Sequence, residues 1–184
     1  MKRRIFSIVI VIALTFGAVM AQPKTIGARL GYNFELSYQH QTENGMVEID
    51  AGYSPFITQK GVFIDEDGDL NVRKYRYECI QAVIFYDWLM NIVSDFNWYV
   101  GIGAGVTWGI GDFFDSPHYD RKGNLVTYRR LGLPIGGQIG MEYNFQFPLT
   151  LSLDWRPMVN VFGINQGDYY SHLLSFAFGL RYQF

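Results

Sequence analysis

Nine charged residues, Arg29, Glu35, Glu48, Asp50, Asp87, Glu142, Asp154, Arg156 and Arg181, each stand between two apolar neighbours. Charges taken out of water must be paired and hydrogen-bonded. Gathered on one face, these three guanidiniums and six carboxylates could form a self-satisfied ion-pair plug or line a narrow ion path. Other candidate chemistry is weaker. The run from Asp65 to Asn71 has the alternating acids of a calcium loop. Leu70 stands where that loop requires glycine, and Arg76 where it requires a closing glutamate. Asp67-Gly68 instead suits a tight turn joining Val62-Phe63-Ile64 to Leu70-Asn71-Val72, and no metal is expected. His118 lies near Asp115 and Ser116, His172 follows Ser171, and His40 stands apart. No spacing among them fixes a nucleophile, a base and an orienting group, so neither a catalytic residue nor a cofactor is expected. Cys79 has no basic neighbour closer in sequence than Arg76 and reads as packing.

The elements that must position the nine charges are β-strands, because the alternation around them has a period of two. Leu174, Phe176, Phe178, Leu180, Tyr182 and Phe184 share one parity, and Ser175, Ala177, Gly179, Arg181 and Gln183 the other. Stretches 149–161, 131–145, 98–110 and 47–54 repeat the pattern. Stretch 80–88 matches less well, since Val83 and Phe85 blur its polar face. A soluble sandwich also alternates, but it carries charge on its solvent face. Here the polar parity is rich in glycine and holds isolated charges of both signs, as the interior of a small barrel requires. The expected fold is all-β: an eight-stranded antiparallel up-and-down transmembrane β-barrel with its apolar parity facing lipid.

An export signal agrees with that expectation. Lys2, Arg3 and Arg4 precede an apolar stretch from Ile5 to Phe16, and Val19-Met20-Ala21 suits cleavage before Gln22. Residues 1–21 read as a signal peptide and 22–184 as the barrel domain. Removing the three leading bases leaves 12 Lys and Arg against 17 Asp and Glu, a net charge of about −5, and nothing points to nucleic acid. Asn44-Gly45, Asn91 to Asn97 and Phe147-Pro148 read as short turns. Pro55 to Tyr77, Gly111 to Tyr128 and Gly163 to Ser171 read as long connections, so the short turns are expected in the periplasm and the long ones outside. Strand parity then requires a short hairpin over Thr25 to Gln41, turning near Gly31-Tyr32-Asn33. Asp120 to Asn124 reads as the turn of a second protruding hairpin. Trp88, Trp98, Tyr143, Phe145, Phe147, Tyr182 and Phe184 fall near one set of strand ends, and Tyr53, Trp108, Phe113, Phe114, Tyr169 and Tyr170 near the other, as interfacial belts would.

The chain resembles the small outer-membrane barrels of the OmpA/OmpX type found in Gram-negative bacteria. The specific match is a C-terminal signal of Gly179, Tyr182 and Phe184, which by that resemblance is read by the barrel assembly machinery. Ala177 departs from the polar residue usual at the start of that signal. Arg73, Lys74, Arg76, Arg129 and Arg130 cluster at the outer strand ends and are candidates to hold lipopolysaccharide phosphates through charge-assisted hydrogen bonds. Their alternative is ordinary solvated loop charge. The expected role is a structural or surface-interaction protein of the outer membrane. Its protruding hairpins would be open to an extracellular partner, and outer-membrane lipid would surround its wall. The alternatives are a narrow, porin-like channel and, more distantly, a lipid A-modifying enzyme.

Overall fold

Each stretch with a two-residue period forms a strand. The computed structural model describes residues 23–64, 70–111, 118–119, 125–126, 129–163 and 175–184, with backbone alone for 56–64, 70–77, 118, 119 and 126. The expected signal peptide, residues 1–21, lies outside the described residues. The strands are β1 (Lys24–Gly31), β2 (Phe34–Thr42), β3 (Gly45–Ile64), β4 (Leu70–Val93), β5 (Phe96–Ile110), β6 (His118–Tyr119), β7 (Leu125–Val126), β8 (Leu131–Asn144), β9 (Leu149–Trp155), β10 (Met158–Gly163) and β11 (Phe176–Gln183).

All pairings among the described residues are antiparallel, and β11 joins β9 to β1, which closes the sheet. β9 and β10 are two halves of one wall strand against β8, interrupted at Arg156 and Pro157. Proline has no N–H to give to a ladder, so the break falls there. With β9 and β10 taken as one strand and the small β6–β7 hairpin set aside, the fold is a closed eight-stranded barrel. The N-terminal hairpin pairs Leu30 with Phe34 and Arg29 with Glu35, as strand parity demanded.

The barrel is apolar outside and polar inside. Leu36 is 72% exposed, whereas Arg29, Glu48, Asp50 and Arg181 are fully buried. Ile139, Trp155 and Phe178 would meet in the core of a soluble sandwich; all three are exposed on the wall. Val83 and Phe85, which blur the alternation of β4, point inward and pack with Met158 in a small apolar cluster inside the barrel.

Glycine makes room for that cluster. Gly101, Gly103 and Gly105 of β5 and Gly136 and Gly140 of β8 lie on the inward parity. A methyl group built on Gly103 would come within 2.6 Å of the Phe85 ring, and one on Gly136 within 2.8 Å of Met158. The β5–β8 wall is therefore bare inside around Gly103, Gly105 and Gly136, and side chains from β4 and β10 occupy the space.

The ends differ from the simplest sequence reading in two places. The turn expected over Asn91 to Asn97 is tighter: β4 runs to Val93, β5 starts at Phe96, and a bulge between Asn91 and Val93 absorbs the difference. The region from Pro55 to Tyr77 is a continuation of the β3–β4 ladder, paired as far as Ile64 with Leu70. The ladder slips between Ser54 and Ile57, at Pro55, just where β5 ends opposite Glu78. A bulge with increased twist suits a hairpin leaving the barrel rim. The hairpin pairing of β6 with β7 brackets the turn expected at Asp120 to Asn124, and β6 touches the β3 edge through Tyr119 and Val62. The turn residues 65–69 and 120–124, and the aromatics Phe113, Phe114, Tyr169 and Tyr170, lie outside the described residues.

Gly137 provides a control for the inward glycines, because it pairs with outward Ile102 and a methyl group there meets only one backbone oxygen, at 3.5 Å. Gly103→Val is expected to cost about 1–3 kcal/mol through overpacking. Gly137→Val should stay within about 0.5 kcal/mol of the parent. Urea unfolding of the two variants in detergent measures the contrast.

Candidate functional site

The interior charges converge because their strands place them at similar depths with glycine or small residues opposite. By register Arg29 faces Glu35 on one side and Gly179 on the other, and Arg181 faces Gly27 and Thr150. The Gly179 position needs its hydrogen: a methyl group there would lie 2.6 Å from the Arg181 guanidinium. Gly179 of the expected assembly signal thus has a packing role of its own, while Tyr182 and Phe184 are exposed on the wall.

Three arginines organise the network. Arg156 donates to Asp50 at 2.5 Å, to Glu48 at 2.7 Å and to the Gln138 side-chain oxygen at 2.5 Å. Its guanidinium also lies 4.4 Å from the centre of the Phe85 ring, a cation–π contact that gives Phe85 its place among charges. Arg29 donates to Glu35 at 2.5 Å and pairs with Asp154 through two of its nitrogens. Arg181 donates to Glu48 at 3.0 Å, Ser152 at 2.6 Å and Ser37 at 2.9 Å. Glu48 is the shared acceptor, since Gln39 and Gln138 also donate to it. Gln81 donates to Glu35 at 2.5 Å.

Seven of the nine expected residues are therefore joined directly: Arg29, Glu35, Glu48, Asp50, Asp154, Arg156 and Arg181. Glu142 stands apart toward the short-turn end, where Asn97 and Asn144 donate to one of its oxygens. Asp87 is buried beside Gly101, and neither of its oxygens has a hydrogen-bond partner among the described residues. Sequence reasoning missed the neutral partners Gln39, Gln81, Gln138, Ser37 and Ser152. They lie on the same inward parity as the charges, and that was the signal available.

The remaining candidates lie elsewhere. Arg73, Lys74 and Arg76 sit in the backbone of the β3–β4 extension, and their side chains are outside the described residues. Arg129 is exposed, with its guanidinium 4.7 Å from the centre of the Phe162 ring. Arg130 is half-buried and donates to the Gly109 carbonyl at 3.4 Å. His40 is near the short-turn end opposite Val47, His118 is in β6, and His172 lies outside the described residues. Cys79 is buried in β4 opposite Ser54. Among the described residues no group of three or more His, Cys, Asp or Glu is placed to hold a metal ion.

What the interior can do chemically is hold charge and tie strands together. Arg156 of the β9–β10 link reaches β3 and β8, Arg29 joins β1 to β2 and β9, and Arg181 joins β11 to β2, β3 and β9. Compared with known proteins, the chain matches no family model, no curated protein and no solved structure.

Arg156→Met would strand Asp50 and take from Glu48 one of its two arginines, and a loss of about 3–5 kcal/mol is expected. Asp87→Asn removes a carboxylate that has no donor to lose, so its stability should equal or exceed the parent's. Urea midpoints compared at one detergent concentration test the pair. Equal losses in both variants would refute this account of the network.

Proposed function

We propose that this chain is an integral outer-membrane β-barrel whose role is structural and interactive, exercised through the hairpins that extend past one rim. The observation that carries the reading is the inverted partition of side chains. Among the described residues, buried polar and charged side chains outnumber buried hydrophobic ones, while Ile26, Leu30, Ile84, Ile102, Leu153 and Phe178 face out around the closed wall. Burial of apolar surface favours folding in water, so an oily exterior is stable only against an apolar solvent. A closed barrel also leaves no unpaired strand edge within its wall, which a bilayer demands.

Aromatic side chains support the same reading. Tyr143, Phe145 and Phe147 form a row near the short-turn end, the first pair edge-on and the second stacked, with ring centres 4.9 and 5.0 Å apart, and Tyr86 packs edge-on against Trp88. Tyrosine and tryptophan favour the membrane–water boundary. With the short turns in the periplasm, the β3–β4 extension and the β6–β7 hairpin face the outside. Their bases Arg73, Lys74 and Arg76 are then available to lipopolysaccharide phosphates or to an extracellular protein. The tied interior favours a plugged barrel over a conducting one, since an eight-stranded barrel is just wide enough for side chains to fill.

Two measurements test this function. Asp67→Cys on intact cells should react with a membrane-impermeant maleimide while Asp95→Cys should not; the reverse pattern would overturn the orientation. In planar bilayers the purified barrel should give no steady conductance. Large, stable openings would instead favour the channel.

A further inference from the structure

The outer wall is not uniformly convex. A depression of about 770 Å³ lies across β4, β5, β8 and β10. Ile84, Ile102, Ile135 and Val159 form its sides, and Gly103, Ala104 and Gly136 its floor. A second hollow of about 260 Å³, between Ala82, Val106, Trp108 and Leu131, lies higher on the same strands toward the long hairpins. Small residues leave these hollows, because Ala82 and Ala104 occupy outward positions that elsewhere carry leucine, isoleucine or aromatic rings.

A cation stands at the upper rim. Phe162 pairs with Leu133, one step above the Val159–Ile135 pair that borders the larger hollow. The Arg129 guanidinium lies over that Phe162 ring, 4.7 Å from its centre. Trp108 pairs with Leu131 across the β5–β8 ladder, is 47% exposed and lines the smaller hollow, which places an amphipathic ring at its edge. From Leu131 to Gly136 is five residues, about 17 Å along the strand at ~3.4 Å per residue. That is roughly one leaflet of a hydrocarbon core about 30 Å thick.

The geometry points to a lipid site on this wall, in which a phosphate-bearing, multiply acylated lipid of the outer leaflet lays one acyl chain along the two hollows and sets its phosphate against Arg129. The inference rests on the membrane reading and sharpens it from a general lipid contact to one shaped place. Charge complementarity selects the occupant, because an acyl chain alone would suit the apolar hollow but leave the cation at its rim without a counter-charge from the lipid. The chemistry required is that of lipid A: saturated chains under an anionic phosphate. A second copy of this barrel is the competing occupant of the hollow, and its signature is a dimer rather than a retained lipid.

The test is native mass spectrometry of the detergent-purified barrel with bisphosphorylated lipid A, dephosphorylated lipid A and phosphatidylethanolamine in separate samples. The parent should retain one bisphosphorylated lipid A. Arg129→Ala, or removal of the phosphates, should each reduce retention about tenfold without adding to the other. Ala104→Phe fills the larger hollow from the lipid side without touching the interior, and it should reduce retention of both lipid A forms. Unchanged retention by Ala104→Phe, or equal retention of lipid A and phosphatidylethanolamine, would overturn the site. So would a dimer that Ala104→Phe abolishes. Unheated gel migration shows that each variant is closed. A parent protein that stays soluble without detergent would sink the membrane reading itself, a failure distinct from loss of lipid selectivity.

Discussion

Charge enclosed where bulk water cannot follow has to be answered by charge, and in this barrel the answer passes through the forked donors of three arginines. Each guanidinium presents several N–H groups in a fixed plane, so one side chain can serve acceptors on different walls. Arg156 does this most fully, with Asp50 and Glu48 on β3, Gln138 on β8 and the Phe85 ring on β4. A lysine would carry the same charge to fewer places. Because Glu48 accepts from both Arg156 and Arg181, the two arginines share a counter-charge and neither can shift alone.

That lattice requires an uneven interior. Phe85, Met158 and Tyr99 are large, and they fit because β5 and β8 present glycine to them. Tyr99 lies across Gly140, where a methyl group would come within 2.5 Å of the ring and its hydroxyl. Large residues on β4, β5 and β10 thus face glycine, and the small residues that create this room are as necessary as the charges. The same economy appears outside, where alanine and glycine at mid-wall leave the hollows beneath Arg129.

Strand positions were legible because a wall one residue thick must alternate, and alternation survives in the order of amino acids. The parity of all nine charges followed from it. The partnerships did not, because they depend on how far each strand slides past the next. Arg156 lies 106 residues from Asp50, and no local pattern links them. Phe85 looked like a flaw in its strand because periodicity registers polarity and cannot foresee an aromatic ring packed against a guanidinium. The turn before Phe96 looked long because a bulge near Ile92 interrupts the pattern before the strand ends. The β3–β4 extension is legible as a protruding hairpin from Asp67-Gly68 between apolar runs, whereas the slip at Pro55 that marks its departure from the barrel is not.

The seam of this cylinder is made by strands from opposite ends of the described chain, with Thr25 opposite Gln183 and Gly31 opposite Ala177. Until β11 exists, β1 and β9 each have a raw margin, and raw margins invite adhesion to other chains. Synthesis from the N-terminus therefore cannot seal the ring step by step. Every nascent copy must be kept apart from its siblings until its final hydrogen-bonded strand arrives, so the hazard in this protein's life is concentrated in the interval before the last stitch.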